Sequence, residues 1–132
     1  MKKLFLFLAL GMCMSLASIA QDVDVEFNSK SAIKPVSDGY LSIEFVIPAS
    51  NADGLQGLSQ YVKDNPTYFI LIEQKNAKQQ STGLVTLKIS EKLGWGIMGK
   101  VFANMNVQTI GIKEGKETKV VDFDAFMSYF KL

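Results

Sequence analysis

From Tyr40 to the C-terminus, the spacing of apolar residues alternates between the two-residue repeat of a strand and the 3.6-residue repeat of a helix. Residues 40–47 (YLSIEFVI) place an apolar side chain at every second position and end at Pro48, as a half-buried strand does. The last segment follows the helical repeat instead, behind Asp122 as an N-cap, with its apolar positions at Phe123, Phe126, Met127 and Phe130. The chain must therefore combine a sheet with helices that cover it.

The order of these segments predicts the fold class. Strands are predicted at residues 40–47, 67–73, 83–90, 107–113 and 118–121, and helices from Asp53, from Gly94 and after Asp122. Residues 67–73 (TYFILIE) are almost continuously apolar, which is typical of a strand buried on both faces. The order β-α-β-β-α-β predicts an α+β, ferredoxin-like split sheet with helices on one face and an added C-terminal strand and helix. A cystatin-like sheet or another open α+β sheet is the competing prediction.

Residues 21–39 precede this single α+β domain of residues 40–132. They open with apolar residues alternating with acids, then carry Pro35 and the turn signal Ser37-Asp38-Gly39. We expect them to form a short edge strand or an extended N-terminal arm.

Residues 1–20 have the three parts of an export signal. Lys2 and Lys3 precede an apolar stretch, and small residues follow it, with Ser18 and Ala20 at the positions that a signal peptidase recognises. The predicted cleavage site lies between Ala20 and Gln21. We therefore expect a periplasmic or secreted protein with no stable transmembrane span after processing.

Two alternatives for this segment remain open. The first is a retained membrane anchor. The second is lipidation of Cys13, which lies behind the apolar stretch but follows Met12 rather than the small residue that lipoprotein processing needs. Cleavage after Ala20 would remove Cys13, and the exported protein would then use no disulfide.

The residue types that are missing limit the chemistry of the protein. The sequence contains no histidine and no arginine. Ser-His and Cys-His catalysis are excluded, the usual zinc and haem ligands are lacking, and bidentate clamping of phosphate is impossible. Cleavage would remove two lysines from a chain of net charge +1, leaving −1, so we predict no nucleic-acid surface.

One glycine-rich segment matches a cofactor motif. Gly94, Gly96 and Gly99 form the pattern GxGxxG between a predicted strand and a predicted helix, and Glu114 follows about twenty residues later. The chain is too short for a doubled dinucleotide-binding sheet. We predict a flexible connection in which Trp95 packs over the sheet, and no cofactor.

Aromatic residues supply the candidate binding positions. Trp95, set between Gly94 and Gly96, is either an exposed anchor for a partner or a cap on the core. The C-terminal segment offers Phe126, Tyr129 and Phe130 to a protein partner or a membrane, or else closes over the sheet.

Carboxylates supply the remaining candidates. Two groups of acids raise the possibility of calcium, but a solvated strand face is the favoured explanation of the first group and a helix N-cap with a favourable first-turn charge explains the second: Asp22, Asp24 and Glu26, and Asp122 and Asp124. We predict no metal site. Glu44 and Glu73 lie in apolar strands and could form a glycosidase pair if they met.

The leading hypothesis is a non-enzymatic exported domain that binds a protein partner in the periplasm or cell envelope. We expect it to bind through a sheet edge open to strand addition, the Trp95 loop or the polar hairpin tip of residues 74–82. The alternatives are an accessory subunit of an outer-membrane or secretion assembly, and a small carboxylate-dependent enzyme acting on a glycan.

Overall fold

The structure is a computed structural model that describes residues 23–74 and 83–132. The predicted signal peptide, its cleavage site at Ala20 and Gln21, Cys13, and all of the hairpin tip except Gln74 lie outside the described residues.

Seven strands and three α-helices make up the described chain. The strands are β1 (Val25–Asn28), β2 (Ile33–Ser37), β3 (Tyr40–Val46), β4 (Phe69–Gln74), β5 (Leu84–Ser90), β6 (Ile110–Glu114) and β7 (Glu117–Val121). The helices are α1 (Ala52–Asp64), α2 (Met98–Asn104) and α3 (Phe123–Tyr129). Single 3₁₀ turns precede the first two helices, at Ala49–Asn51 and Trp95–Ile97.

The strands form one sheet in the order β4-β5-β3-β1-β6-β7, and β2 also pairs with β3. All pairings are antiparallel except that of β1 with β6, which is parallel. The predicted hairpin of β4 and β5 is present, with Phe69 opposite Ile89 and Gln74 opposite Leu84. The predicted α+β class is confirmed.

The ferredoxin-like topology is not confirmed, because β1 lies where that fold would bring β3 and β6 together. The segment expected to be an arm or an edge strand instead forms two strands, β1 and β2. Of these, β1 pairs with a neighbour on each side. Val25 lies opposite Ile110 and Phe27 opposite Ile112. The side chains of Val25 and Phe27 are fully buried. The pairing of β1 with β3 on one side and with β6 on the other places it inside the sheet.

One face of the sheet forms the core. Ile43 of β3 faces Leu87 of β5, and Phe45 faces Val85, so these side chains share a face, on which all four are buried. The three helices bury side chains in the same cluster: Leu58, Met98, Val101, Phe102 and Phe126. We call the opposite side of the sheet the open face; it carries Glu26, Glu44, Ile70, Ile72, Lys88 and Val120.

Local signals set the helix ends. Asp122 accepts a hydrogen bond from the Ala125 N–H at 2.8 Å, as its predicted N-cap role requires. The first helix is capped by Asn51 rather than opened at Asp53, since the Asn51 side chain accepts from the Gly54 N–H at 3.0 Å. It ends at Asp64, before Pro66, because the residue preceding a proline disfavours helical geometry.

Candidate functional site

The Trp95 loop connects β5 to α2 and contains the 3₁₀ turn Trp95–Ile97. Gly94 adopts a φ of 71°, which favours glycine, whereas a side-chain carbon at Gly96 would meet no atom within 4 Å. Trp95 is half-buried and packs against the core cluster. A side-chain carbon at Gly99 would be 3.7 Å from Phe123, an ordinary contact, so of the three glycines in the motif only Gly94 has a conformation that favours glycine.

The C-terminal helix is largely a core element. Phe126 is fully buried, and its ring centroid lies 4.6 Å from that of Phe27 and 5.4 Å from that of Phe102. Phe126 therefore fits the alternative in which the C-terminal segment closes over the sheet. Phe130 is partly buried against the same cluster, with its centroid 5.4 Å from that of Phe126. Of the three C-terminal candidates, Tyr129 is the most exposed, at 36%.

Tyr129 has a specific partner on the sheet. Its hydroxyl donates a hydrogen bond to Glu114, and the Lys119 ammonium lies 3.6 Å from the same carboxylate. The hydrogen bond from Tyr129, with help from Lys119, lowers the pKa of Glu114 below its ordinary value of 4.5. The same bond raises the pKa of Tyr129 above 10.0. This cluster links α3 to the β6–β7 hairpin.

The two carboxylates considered as a glycosidase pair lie on opposite faces of the sheet. Glu44 is opposite Thr86, and Thr86 is opposite Ile72, so Glu44 belongs to the open face. Glu73 follows Ile72 and therefore directs its side chain to the core face. Glu44 instead forms an ion pair with Lys34 at 3.3 Å.

The carboxylates of Asp24 and Glu26 also accept hydrogen bonds within the fold. The Asp24 carboxylate accepts hydrogen bonds from the backbone N–H groups of Gln108 at 2.6 Å and Thr109 at 3.1 Å. Glu26 accepts one from the Thr118 hydroxyl at 3.0 Å. Asp22 lies outside the described residues. Within residues 23–74 and 83–132, no group of three or more acidic, cysteine or histidine side chains is placed to hold a metal ion.

The open face has a shallow polar groove over β1 and β3. It has a volume of about 310 Å³, and its polar lining residues are Glu26, Asn28, Ser31, Glu44 and Lys113. Because Glu26 is hydrogen-bonded and Glu44 is ion-paired, both carboxylates that face the groove are already engaged.

Three strands pair on one side only within the part of the chain that the structure describes: β2, β4 and β7. Two of these edges carry the residues that discourage pairing with another chain. In β2 these are Lys34 and Pro35, and in β7 they are Glu117 and Lys119. The β4 strand has a single charge, Glu73, near its end.

Apolar side chains are exposed along β4. Tyr68, in the turn just before the strand, Ile70 and Ile72 are 40%, 40% and 41% exposed, and Ile70 and Ile72 lie on the open face. The prediction that this strand is buried on both faces is wrong, because β4 lies at the end of the sheet and the three helices cover the core face. The run of apolar residues was visible in the sequence, but its exposure was not.

Within residues 23–74 and 83–132, no strand pairs with the outer side of β4. The Ser90 N–H donates to the Tyr68 carbonyl at 2.8 Å, so even-numbered residues of β4 direct their backbone groups toward β5. The backbone N–H and C=O groups of Leu71 and Glu73 therefore point away from β5. We call the outward backbone of Leu71 and Glu73, together with the exposed side chains of Tyr68, Ile70 and Ile72, the β4 edge.

Comparison of the chain with protein-family models, with curated proteins and with solved structures gives no significant match.

Among the described residues, no helix has both the length and the apolar character needed to cross a membrane.

Proposed function

We propose that this protein is an exported, non-enzymatic interaction domain that binds an extended segment of a partner as an additional strand beside β4. The β4 edge is the observation that carries the proposal. It combines an outward-facing row of backbone donors and acceptors with apolar side chains at every second residue, the two elements of recognition by strand addition.

The energetics favour covering this edge. Moving an isoleucine side chain from full exposure to full burial contributes about 1.5–3 kcal/mol. Ile70 and Ile72 are 40% and 41% exposed, so each offers on the order of 1 kcal/mol to a partner that covers it. An uncovered apolar edge is also an aggregation hazard, which natural sheets avoid with charges or proline. The β2 and β7 edges have such residues, and β4 has only Glu73.

The enzymatic alternative has less support. Glu44 and Glu73 lie on opposite faces of the sheet, and the carboxylates of Glu26 and Glu44 have local partners. The Trp95 loop, the second surface considered for binding, has its tryptophan half-buried against the core.

Export is proposed from residues 1–20, with the periplasm or the cell exterior as the location. The protein should be recovered from the periplasmic fraction or the medium, with an intact mass that begins at Gln21. A protein that stays in the membrane fraction with residues 1–20 attached would contradict the proposal. A mass that includes a lipid on Cys13 would favour the lipoprotein alternative.

Capture of envelope proteins tests the interaction. Ile72→Lys places a charge on the β4 edge, opposite Thr86, and Val120→Lys places the same charge on the open face of β7, where Val120 is 43% exposed. Both variants should unfold at the wild-type urea midpoint. A partner retained by Val120→Lys and lost with Ile72→Lys supports the proposal. A partner retained equally by both variants contradicts it.

A further inference from the structure

We infer that cleavage between Ala20 and Gln21 has to precede the docking of β1 into the sheet, because the completed fold protects the uncleaved precursor. This inference rests on the export step of the proposed function and not on the β4 edge. The structure supports it through the two residues at which the described chain begins, Val23 and Asp24.

Val23 comes three residues after Ala20 and is packed into the fold. Its side chain is 8% exposed, and its two methyl carbons are 3.1 and 3.2 Å from the position that a side-chain carbon at Gly111 would take. An extended chain spans at most about 3.6 Å per residue, so the Cα atoms of Ala20 and Val23 are at most about 11 Å apart. The bond to be cleaved is therefore tied closely to the folded domain.

Asp24 is held by all of its hydrogen-bonding groups. Its backbone N–H donates to the carbonyl and hydroxyl oxygens of Thr109 at 2.9 and 3.0 Å. Its backbone carbonyl accepts from the Asn51 side chain at 3.0 Å. Its carboxylate accepts from the N–H groups of Gln108 and Thr109. In the folded protein, the backbone of Asp24 therefore has no group left to pair with a protease.

A protease acts on an extended chain, with residues on both sides of the scissile bond held in its active site. A folded protein is therefore cleaved only when the chain around the bond opens locally. Here, opening releases Val23 from Gly111 and Asp24 from Thr109, and opening by one more residue draws the fully buried Val25 out of the core. The completed fold therefore opposes cleavage.

The order of the strands leaves an interval in which these contacts cannot yet form. Asp24 and Thr109 are 85 positions apart, and β1 pairs with β6 through Val25 and Ile110. A chain grows from its N-terminus at about 5–20 residues per second, so Thr109 follows Asp24 by about 4–17 s. Until residues 108–114 arrive, β1 lacks its parallel neighbour and Asp24 lacks most of its partners. Cleavage in this interval frees the N-terminus before β1 docks.

Cleavage by purified signal peptidase tests the inference on the full 132-residue precursor, refolded in detergent micelles. A peptide of residues 4–28 measures cleavage of the site without the fold. One precursor variant carries a Gly-Ser linker of about six residues, spanning up to ~20 Å, between Asp22 and Val23. The control variant carries the same linker in the β6–β7 turn, between Gly115 and Lys116. Both variants should unfold at the wild-type urea midpoint.

The peptide and the precursor with the linker between Asp22 and Val23 should be cleaved at least about tenfold faster than the wild-type precursor. The reason is that the wild type must first give up the burial of Val23 and the hydrogen bonds to the Asp24 carboxylate. The control with the linker in the β6–β7 turn should be cleaved as slowly as the wild type. Asp24→Ala should accelerate cleavage of the precursor, and Glu91→Ala should not.

The outcomes separate this inference from the export proposal. Equal cleavage after Ala20 in the peptide, the folded wild-type precursor and the linker variant overturns the inference and leaves export standing. A cleaved peptide beside a linker variant as resistant as the wild type also overturns it, because the packing of Val23 and Asp24 would not be the cause. A peptide that is not cleaved after Ala20 overturns both the predicted cleavage site and the inference.

Discussion

The hydroxyl of Tyr129 donates a hydrogen bond to the carboxylate of Glu114, linking the C-terminal helix to the β6–β7 hairpin. The two residues are 15 positions apart and belong to different elements. The bond requires the ionised form of Glu114 and the neutral form of Tyr129, so it lowers the pKa of the first and raises the pKa of the second. Lys119 lies 3.6 Å from the other oxygen of the carboxylate and also lowers the pKa of Glu114.

Tyr129→Phe should therefore lower stability in a pH-dependent way. Because the folded pKa of Glu114 is lowered, its contribution is present above its ordinary value of 4.5 and is lost as pH falls through the folded pKa. Because the folded pKa of Tyr129 is raised, its contribution is present below 10.0 and is lost as pH rises through the folded pKa. Thermal midpoints of wild type and variant should differ most between these limits and converge in acid. A difference that stays constant from neutral pH into acid would contradict the role of this bond.

Phe126→Ala should be severely destabilising. The side chain is fully buried and touches the rings of Phe27 and Phe102, so its removal leaves a cavity lined by rigid aromatic groups. We expect a loss of about 3–5 kcal/mol in the free energy of unfolding from urea titration. Val36→Ala is the exposed apolar control, since Val36 is 52% exposed, and it should change the value by less than about 0.5 kcal/mol. A loss below ~1 kcal/mol for Phe126→Ala would contradict the burial of this residue.

Gly57→Ala should destabilise the protein although alanine is the better helix former. A side-chain carbon at Gly57 would lie 2.3 Å from the Asn104 carbonyl oxygen, so α1 and the end of α2 would have to separate. The gain of about 1 kcal/mol in helix propensity should be outweighed by an overpacking cost of about 1–3 kcal/mol. Gly96→Ala, where the added carbon meets no atom within 4 Å, should be tolerated. A stabilising Gly57→Ala in thermal unfolding would show that the two helices do not approach so closely.

Asp24→Ala should weaken the junction between the start of β1 and the start of β6. It leaves the backbone N–H groups of Gln108 and Thr109 without their carboxylate acceptor. We expect a loss of about 1–3 kcal/mol in the free energy of unfolding, because both hydrogen bonds are made to a charged group. The control is Glu91→Ala, an exposed carboxylate, whose unfolding midpoint should match wild type. Equal unfolding midpoints for Asp24→Ala and Glu91→Ala would show that the Asp24 hydrogen bonds do not stabilise this junction.

Local sequence was sufficient for the elements after residue 39 and for the fold class. The strand of residues 40–47, the hairpin of β4 and β5 and the end of α1 before Pro66 follow from periods and breakers that act within about ten residues. The Asp122 cap of α3 is also local, because it joins residues three positions apart.

The arrangement of these elements depended on contacts between distant residues. Val25 pairs with Ile110, far along the chain, and this pairing puts β1 inside the sheet and replaces the predicted split topology. The same long-range order leaves β4 at the end of the sheet, so an apolar run that resembles a buried strand is exposed at Ile70 and Ile72. A period shows which residues share a face, but burial depends on which neighbour covers that face. Which elements cover a face depends on how the whole chain packs.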